Sequence, residues 1–147
     1  MKILKKSFIL NIFIFGLTLV LTSCSFLSNN NLDVVYNNWK ISIPKNCKEI
    51  FYIDSGQSFL GDGERYNIIE YTDTTLIDKR FDWKNQKNEE IEKSIKSTCE
   101  GLEIKDEYKI NFENPYKYFY KSKEDNSEIY LIFFPENKRL FIIENIM

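Results

Sequence analysis

Apolar and polar residues alternate along short stretches for most of this chain. Trp39-Lys40-Ile41-Ser42-Ile43 has the two-residue period of a half-buried strand, and Pro44 ends it or places it at an edge. Glu49–Asp54 and Arg65–Tyr71 predict two further strands, the second with Tyr66, Ile68 and Ile69 apolar. Residues 55–63 between them hold three of the five glycines, so the pair reads as a β-hairpin with a long connection. Asp73 is placed to cap a short helix over Thr74–Phe81, with Leu76, Ile77 and Phe81 inward. Residues 82–88 are polar except for Trp83 and predict a loop. Asn88 then suits an N-cap, Glu89 and Glu90 face the positive end of a helix dipole, and Ile91, Ile95, Cys99 and Leu102 recur at helical spacing. Gly101 stands where a C′ glycine is expected, which predicts a helix over 89–100.

The last third alternates again. Tyr108, Ile110 and Phe112 predict one strand. Tyr116, Tyr118 and Tyr120, interleaved with Lys117, Phe119 and Lys121, predict another. Ile129–Phe134 is continuously apolar, the pattern of a central strand covered on both faces. Leu140–Ile143 closes the series. Turn residues between these runs imply an antiparallel meander. The expected fold is α+β: an antiparallel sheet, made of an N-terminal hairpin and a C-terminal meander, with one or two helices packed on one face.

The first 23 residues follow a different rule. Lys2, Lys5 and Lys6 precede an uncharged, mostly apolar run from Ser7 to Leu21. About fifteen residues is short of the roughly twenty that a permanent membrane span needs, so the segment reads as a signal peptide. Its flanking lysines direct the rest of the chain out of the cytoplasm. It ends in Leu21-Thr22-Ser23-Cys24, an aliphatic residue, two small residues and a cysteine. This run resembles the lipobox of bacterial lipoproteins. The resemblance implies cleavage before Cys24, diacylglycerol on its thiol and often acylation of the freed amine; two or three acyl chains anchor stably. An uncleaved anchor helix, or an ordinary signal peptide with an incidental cysteine, is the alternative. The expected organisation is a signal peptide over 1–23, a polar tether over 24–38 and a single domain over 39–147.

Composition narrows the chemistry. Removing residues 1–23 takes away three lysines and no acid, which leaves 17 basic and 22 acidic residues and a net charge of −5. An acidic domain without a basic cluster argues against nucleic acid and against docking on anionic lipid. The chain has no histidine. A Ser-His-Asp triad, a Cys-His pair and a histidine-based zinc site are therefore impossible, and no cofactor is expected. Beyond Cys24, Cys47 and Cys99 remain. An exported pair can form a disulfide, worth roughly 4 kcal/mol for a loop of this length, or can stay as two separate buried thiols.

The best candidate site is the 54–65 loop, as a contact surface formed by Gly56, Phe59, Leu60, Gly61, Asp62, Gly63, Glu64 and Arg65. It lacks the Gly-Lys-Ser/Thr ending of a phosphate loop, and its acids do not have EF-hand spacing. Against a contact role stands a plain hairpin tip whose glycines supply positive φ, although apolar Phe59 and Leu60 at a tip ask for a cover. The Gly61-Asp62-Gly63-Glu64-Arg65-Tyr66 run resembles a segment of small bacterial lipoproteins, a resemblance that implies no activity. The Tyr116, Tyr118, Tyr120 stripe suits either an interface or the half-buried face of a sheet, and Lys109, Lys117 and Lys121 suit the solvated side of the same strands. The expected function is a non-catalytic binding module, membrane-anchored outside the cytoplasm, of immunity, inhibitor or accessory type, with a protein as its partner. A carrier of a small apolar ligand or lipid, or a small carboxylate-based hydrolase, are the alternatives.

Overall fold

The computed structural model describes residues 30–56 and 62–147. The signal peptide, Cys24 and the loop residues Phe59, Leu60 and Gly61 lie outside the described residues. Five strands form one antiparallel sheet: β1 (Cys47–Asp54), β2 (Gly63–Tyr71), β3 (Lys117–Ser122), β4 (Glu128–Phe134) and β5 (Arg139–Ile146). Their spatial order is β1-β2-β5-β4-β3. The expected hairpin pairs Asp54 with Arg65 and Cys47 with Tyr71, with a bulge between Glu49 and Phe51. The expected meander is β3-β4-β5, and its last strand closes on β2 from Gly63↔Ile146 to Glu70↔Arg139. This is the α+β fold that the residue pattern implied.

Side chains alternate across a strand, so each strand supplies two faces. On one face Tyr66 and Ile68 of β2, Tyr130, Ile132 and Phe134 of β4, and Phe141 and Ile143 of β5 pack against Ile91, Ile95 and Cys99 of α3 (Glu89–Gly101). On the other, Ile69 and Tyr71, Ile129, Leu131 and Phe133, and Leu140 and Ile142 pack against Leu32, Val35 and Trp39 of α1 (Asn30–Trp39). The continuous apolar run 129–134 reflects this double cover, since β4 is buried throughout that run. A short α2 (Thr75–Asp78) adds Ile77 to the α1 side. The expectation of helices on one face thus describes α3, while α1 takes the opposite face.

That helix is the main departure from the sequence reading. Residues 30–38, assigned there to the tether, form α1, with Leu32 2%, Val35 2% and Trp39 1% exposed. Leu32, Val35 and Trp39 recur at i, i+3 and i+7, a helical stripe that the surrounding asparagines hide. The short strand expected over 39–43 does not form: Trp39 ends α1 and Lys40 turns the chain at φ +56°. The alternation was real in its burial, because Ile41 and Ile43 enter the α1-side core, but residues 40–45 join no strand of the sheet. Residues 108–112 form no strand either. A single 3-10 turn, Asp106–Tyr108, starts the segment, and Phe112 is carried into the α3-side core by an irregular chain.

α3 has the ends its sequence asks for, with one exchange of roles. Asn88 Oδ1 accepts from the Ile91 amide at 3.1 Å. At the other end Gly101 remains helical and Glu103 turns left-handed at φ +53°. The Ile104 amide donates to the Cys99 carbonyl and the Glu103 amide to the Glu100 carbonyl, the paired bonds of a Schellman motif. Gly101 serves space rather than φ: a Cβ there would lie 2.8 Å from Glu64 Oε2. Near α2, Asp73 Oδ1 accepts from the Thr75 amide, so it closes a local turn at the helix start.

Candidate functional site

The ends of the glycine-rich loop are held by short polar links. Asp54 Oδ1 accepts from the Gly56 amide at 2.9 Å, and Gly56 adopts φ +88°. The Ser55 amide donates to the Glu64 carbonyl at 2.9 Å, and the Glu64 amide donates back to Ser55 Oγ at 3.0 Å. Gly63 enters β2 at φ +146°, where a Cβ would lie 2.5 Å from Ser55 Oγ. Asp62 is partly buried beside it. Glu64 and Arg65 then leave on opposite faces of the sheet. Glu64 turns to the α3 side, where its Oε1 accepts from Thr98 Oγ1 at 3.0 Å. Arg65 turns to the α1 side, where its Nη1 lies 3.7 Å from Glu144. The two neighbours expected to share a contact surface therefore do not share one.

Glu64 opens into a depression in the surface. It is a groove of about 440 Å³ between α3 and the ends of β2, β4 and β5, lined by Glu64, Glu90, Lys93, Ser94, Ser97, Thr98, Glu128, Tyr130 and Asn145. A second depression of about 220 Å³ adjoins it, shares Glu90, Ser94, Glu128 and Tyr130, and reaches Tyr118, Tyr120 and Lys84. The small side chains of Ser94, Ser97 and Thr98 fill little of the space on this flank of α3, while Ile91, Ile95 and Cys99 one stripe away pack onto the sheet.

Glu128 is the fixed point of the groove. Tyr120 Oη donates to its Oε1 at 2.6 Å, and Tyr130 Oη donates to its Oε2. The two rings stand 5.2 Å apart. The hydrogen bond to Glu128, then burial, raises the Tyr120 phenol; burial, then the same carboxylate, raises that of Tyr130. The rest of the tyrosine stripe is equally occupied. Tyr116 Oη donates to buried Glu92 at 2.9 Å and accepts from the Asn88 amide, and burial pushes this phenol up to about 12. Tyr118 is buried and accepts from Asn88 Nδ2. The stripe thus pins α3 to β3, with only Tyr120 turned outward. Lys117 and Lys121, on the opposite side of β3, tie down α2 and α1 through Asp78 and the Trp39 carbonyl. Lys109 pairs with Asp106.

The two remaining cysteines fall into different cores. Cys99 is buried on the α3 side and Cys47 packs on the α1 side, so the sheet stands between them and the Cys47–Cys99 bridge is not made. Burial pushes the Cys99 thiol up to about 11. It lines a small apolar crevice of about 160 Å³ with Ile95, Ile110 and Phe112, about half of the roughly 300 Å³ that a ligand pocket usually has. Among the described residues no group of three or more Cys, Asp or Glu side chains is placed to hold a metal ion, and no helix is long and apolar enough to cross a membrane.

Of the residues lining the groove of about 440 Å³, Glu64 alone was expected from sequence as a contact residue; Glu90 was expected only as an acid at the helix start. Ser94, Thr98 and Glu128 carry no motif. The one signal for them is indirect: the flank of an amphipathic helix that is small and polar where a larger side chain would have reached the sheet. The chain matches no protein-family model, no curated protein and no solved structure.

Proposed function

We propose that this chain is a lipoprotein, cleaved before Cys24 and held by acyl chains on that thiol to the outer face of the cell membrane, or to an outer membrane where one is present. Its body acts there as a non-catalytic binding module of immunity, inhibitor or accessory type. The Leu21-Thr22-Ser23-Cys24 run supports the anchor. The observation that carries the binding role is the open polar groove at the foot of the glycine-rich loop.

The carboxylates of the groove are fixed by hydrogen bonds. Both oxygens of Glu128 accept hydrogen bonds from phenols, and Glu64 accepts from Thr98. Carboxylates held in this way present a fixed pattern of acceptors and hydroxyls, which suits a polar surface on a partner.

Two measurements test the proposal. Mass spectrometry of the membrane fraction should find the chain beginning at an acylated Cys24, and Cys24→Ser should release it from membranes. A photo-reactive residue at Ser97 should give a discrete adduct in native membranes, and one at Tyr36, exposed on α1, should not. An intact N-terminus would end the lipoprotein assignment; identical patterns from Ser97 and Tyr36 would end the role of the groove.

A further inference from the structure

Arg65, expected at a contact surface, turns its charge to the α1 side of the sheet, where polar groups form a band across three strands. Arg65 stands opposite Asp54 of β1 and Glu144 of β5, and Asn67, two residues further along β2, stands opposite Tyr52 and Ile142. Residues two apart on a strand share a face, so Arg65 and Asn67 are neighbours there. α1 closes over the band. Asn31 Nδ2 donates to Glu49 of β1 at 2.8 Å, and Trp39 Nε1 and Asn38 Nδ2 donate to Glu144 Oε1 at 2.7 and 3.2 Å.

Two polar atoms in this band are shut off from solvent and make no hydrogen bond among the described residues: Arg65 Nη1, a donor, and Asn67 Oδ1, an acceptor. Asn67 is 3% exposed. Its amide cannot turn over, because Nδ2 donates to Glu49 Oε2 at 3.1 Å and an ionised carboxylate only accepts. Arg65 Nη1 lies 3.7 Å from Glu144 Oε1, too far for a hydrogen bond, and that oxygen already takes two donors. Buried polar groups are rarely left unpaired, because folding takes away the partners they had in water.

We infer that one enclosed water molecule joins Arg65 to Asn67 beneath α1. Water accepts from Nη1 and donates to Oδ1, and its second proton has the neighbouring Glu144 carboxylate; about three such bonds are usual for a buried water. An anion would face Glu49, Glu144 and the Asn67 oxygen, and a cation would face the Arg65 guanidinium. A small neutral group that both donates and accepts serves the two atoms together. Arg65 therefore belongs to the seat of α1 and not to a contact surface.

The test is oxygen-17 relaxation dispersion on the full chain, which counts long-held water molecules, together with a crystal structure of the same protein. Asn67→Leu removes the acceptor at nearly constant volume and should hold one long-held water fewer than the parent. The parent crystal should show that water within hydrogen-bond distance of both Nη1 and Oδ1. Equal counts in the two folded proteins overturn the inference, and so does a direct Arg65–Asn67 hydrogen bond in the crystal. If Asn67→Leu does not fold, the parent crystal decides alone: water on both atoms upholds the bridge, and none there refutes it.

Discussion

Leu32→Ala tests whether α1 is structure or spacer. Leu32 is 2% exposed, in the layer between α1 and the sheet, with Val35 and Trp39 beside it. Truncating a buried leucine to alanine removes its transfer energy and leaves a cavity, together about 2.7–5 kcal/mol in well-packed cores. α1 is short and packs against one face only, so it can settle partly into the gap, and the lower half of that range is expected, about 3 kcal/mol. Alanine's higher helix propensity returns only a few tenths. For a body of this size the loss corresponds to a fall in Tm of about 10 °C. The comparison is Val34→Ala, on the outward side of the same helix at 36% exposure, with an expected cost below about 0.5 kcal/mol. Urea unfolding of both variants, followed by tryptophan fluorescence, gives the two values. A Leu32→Ala protein within 0.5 kcal/mol of the parent would show that residues 30–38 contribute nothing to the fold, and would restore the tether expected over 24–38.

Four further outcomes are expected. Gly63→Ala should cost at least about 1–2 kcal/mol from its positive φ, and more than Gly56→Ala, because its Cβ also meets Ser55 Oγ; the difference should shrink in a Ser55→Ala background. Glu103→Gly at the left-handed C′ position should stabilise by about 0.5–1 kcal/mol in the same unfolding assay, and a loss would place the strain elsewhere. Burial first raises the Tyr52 and Tyr116 phenols to about 12, from an ordinary value of 10.0. The folded body then holds protons that the unfolded chain releases. The stability this supplies is complete below pH 10 and disappears as pH rises toward 12. Phenolate absorbance rising fully at pH 10 with the body still folded would refute it. Thiol titration of the unreduced, denatured protein should find both Cys47 and Cys99; finding neither would mean that they are bridged after all.

Strands and helices were legible where burial imposes a pattern on the element. α3 shows the helical period, β3 alternates, and the doubly covered β4 is continuously apolar; Asn88 caps α3 as its position implied. Two alternating runs misled, over 39–43 and 108–112. Alternation reports which side chains are buried, and Ile41, Ile43 and Phe112 are buried; it does not report whether a neighbouring strand offers hydrogen bonds. The cover of Ile129–Phe134 was visible as a continuous apolar run, but the identity of the second covering layer was not. Leu32, Val35 and Trp39 are only three residues among asparagines, and a short stripe gains meaning only when a sheet face is there to receive it.

By itself the sequence determined the resemblance of Leu21-Thr22-Ser23-Cys24 to a lipobox, the absence of histidine chemistry, the acidic balance and the α+β class. These follow from residue identity and local period. Tertiary structure alone decided the separation of Cys47 from Cys99, the divergence of Glu64 from Arg65, and the grouping of Glu64, Thr98, Glu128 and Tyr130 around one groove. Each depends on which face of a strand meets which helix. That pairing joins residues tens of positions apart and is fixed by the packing of the whole core.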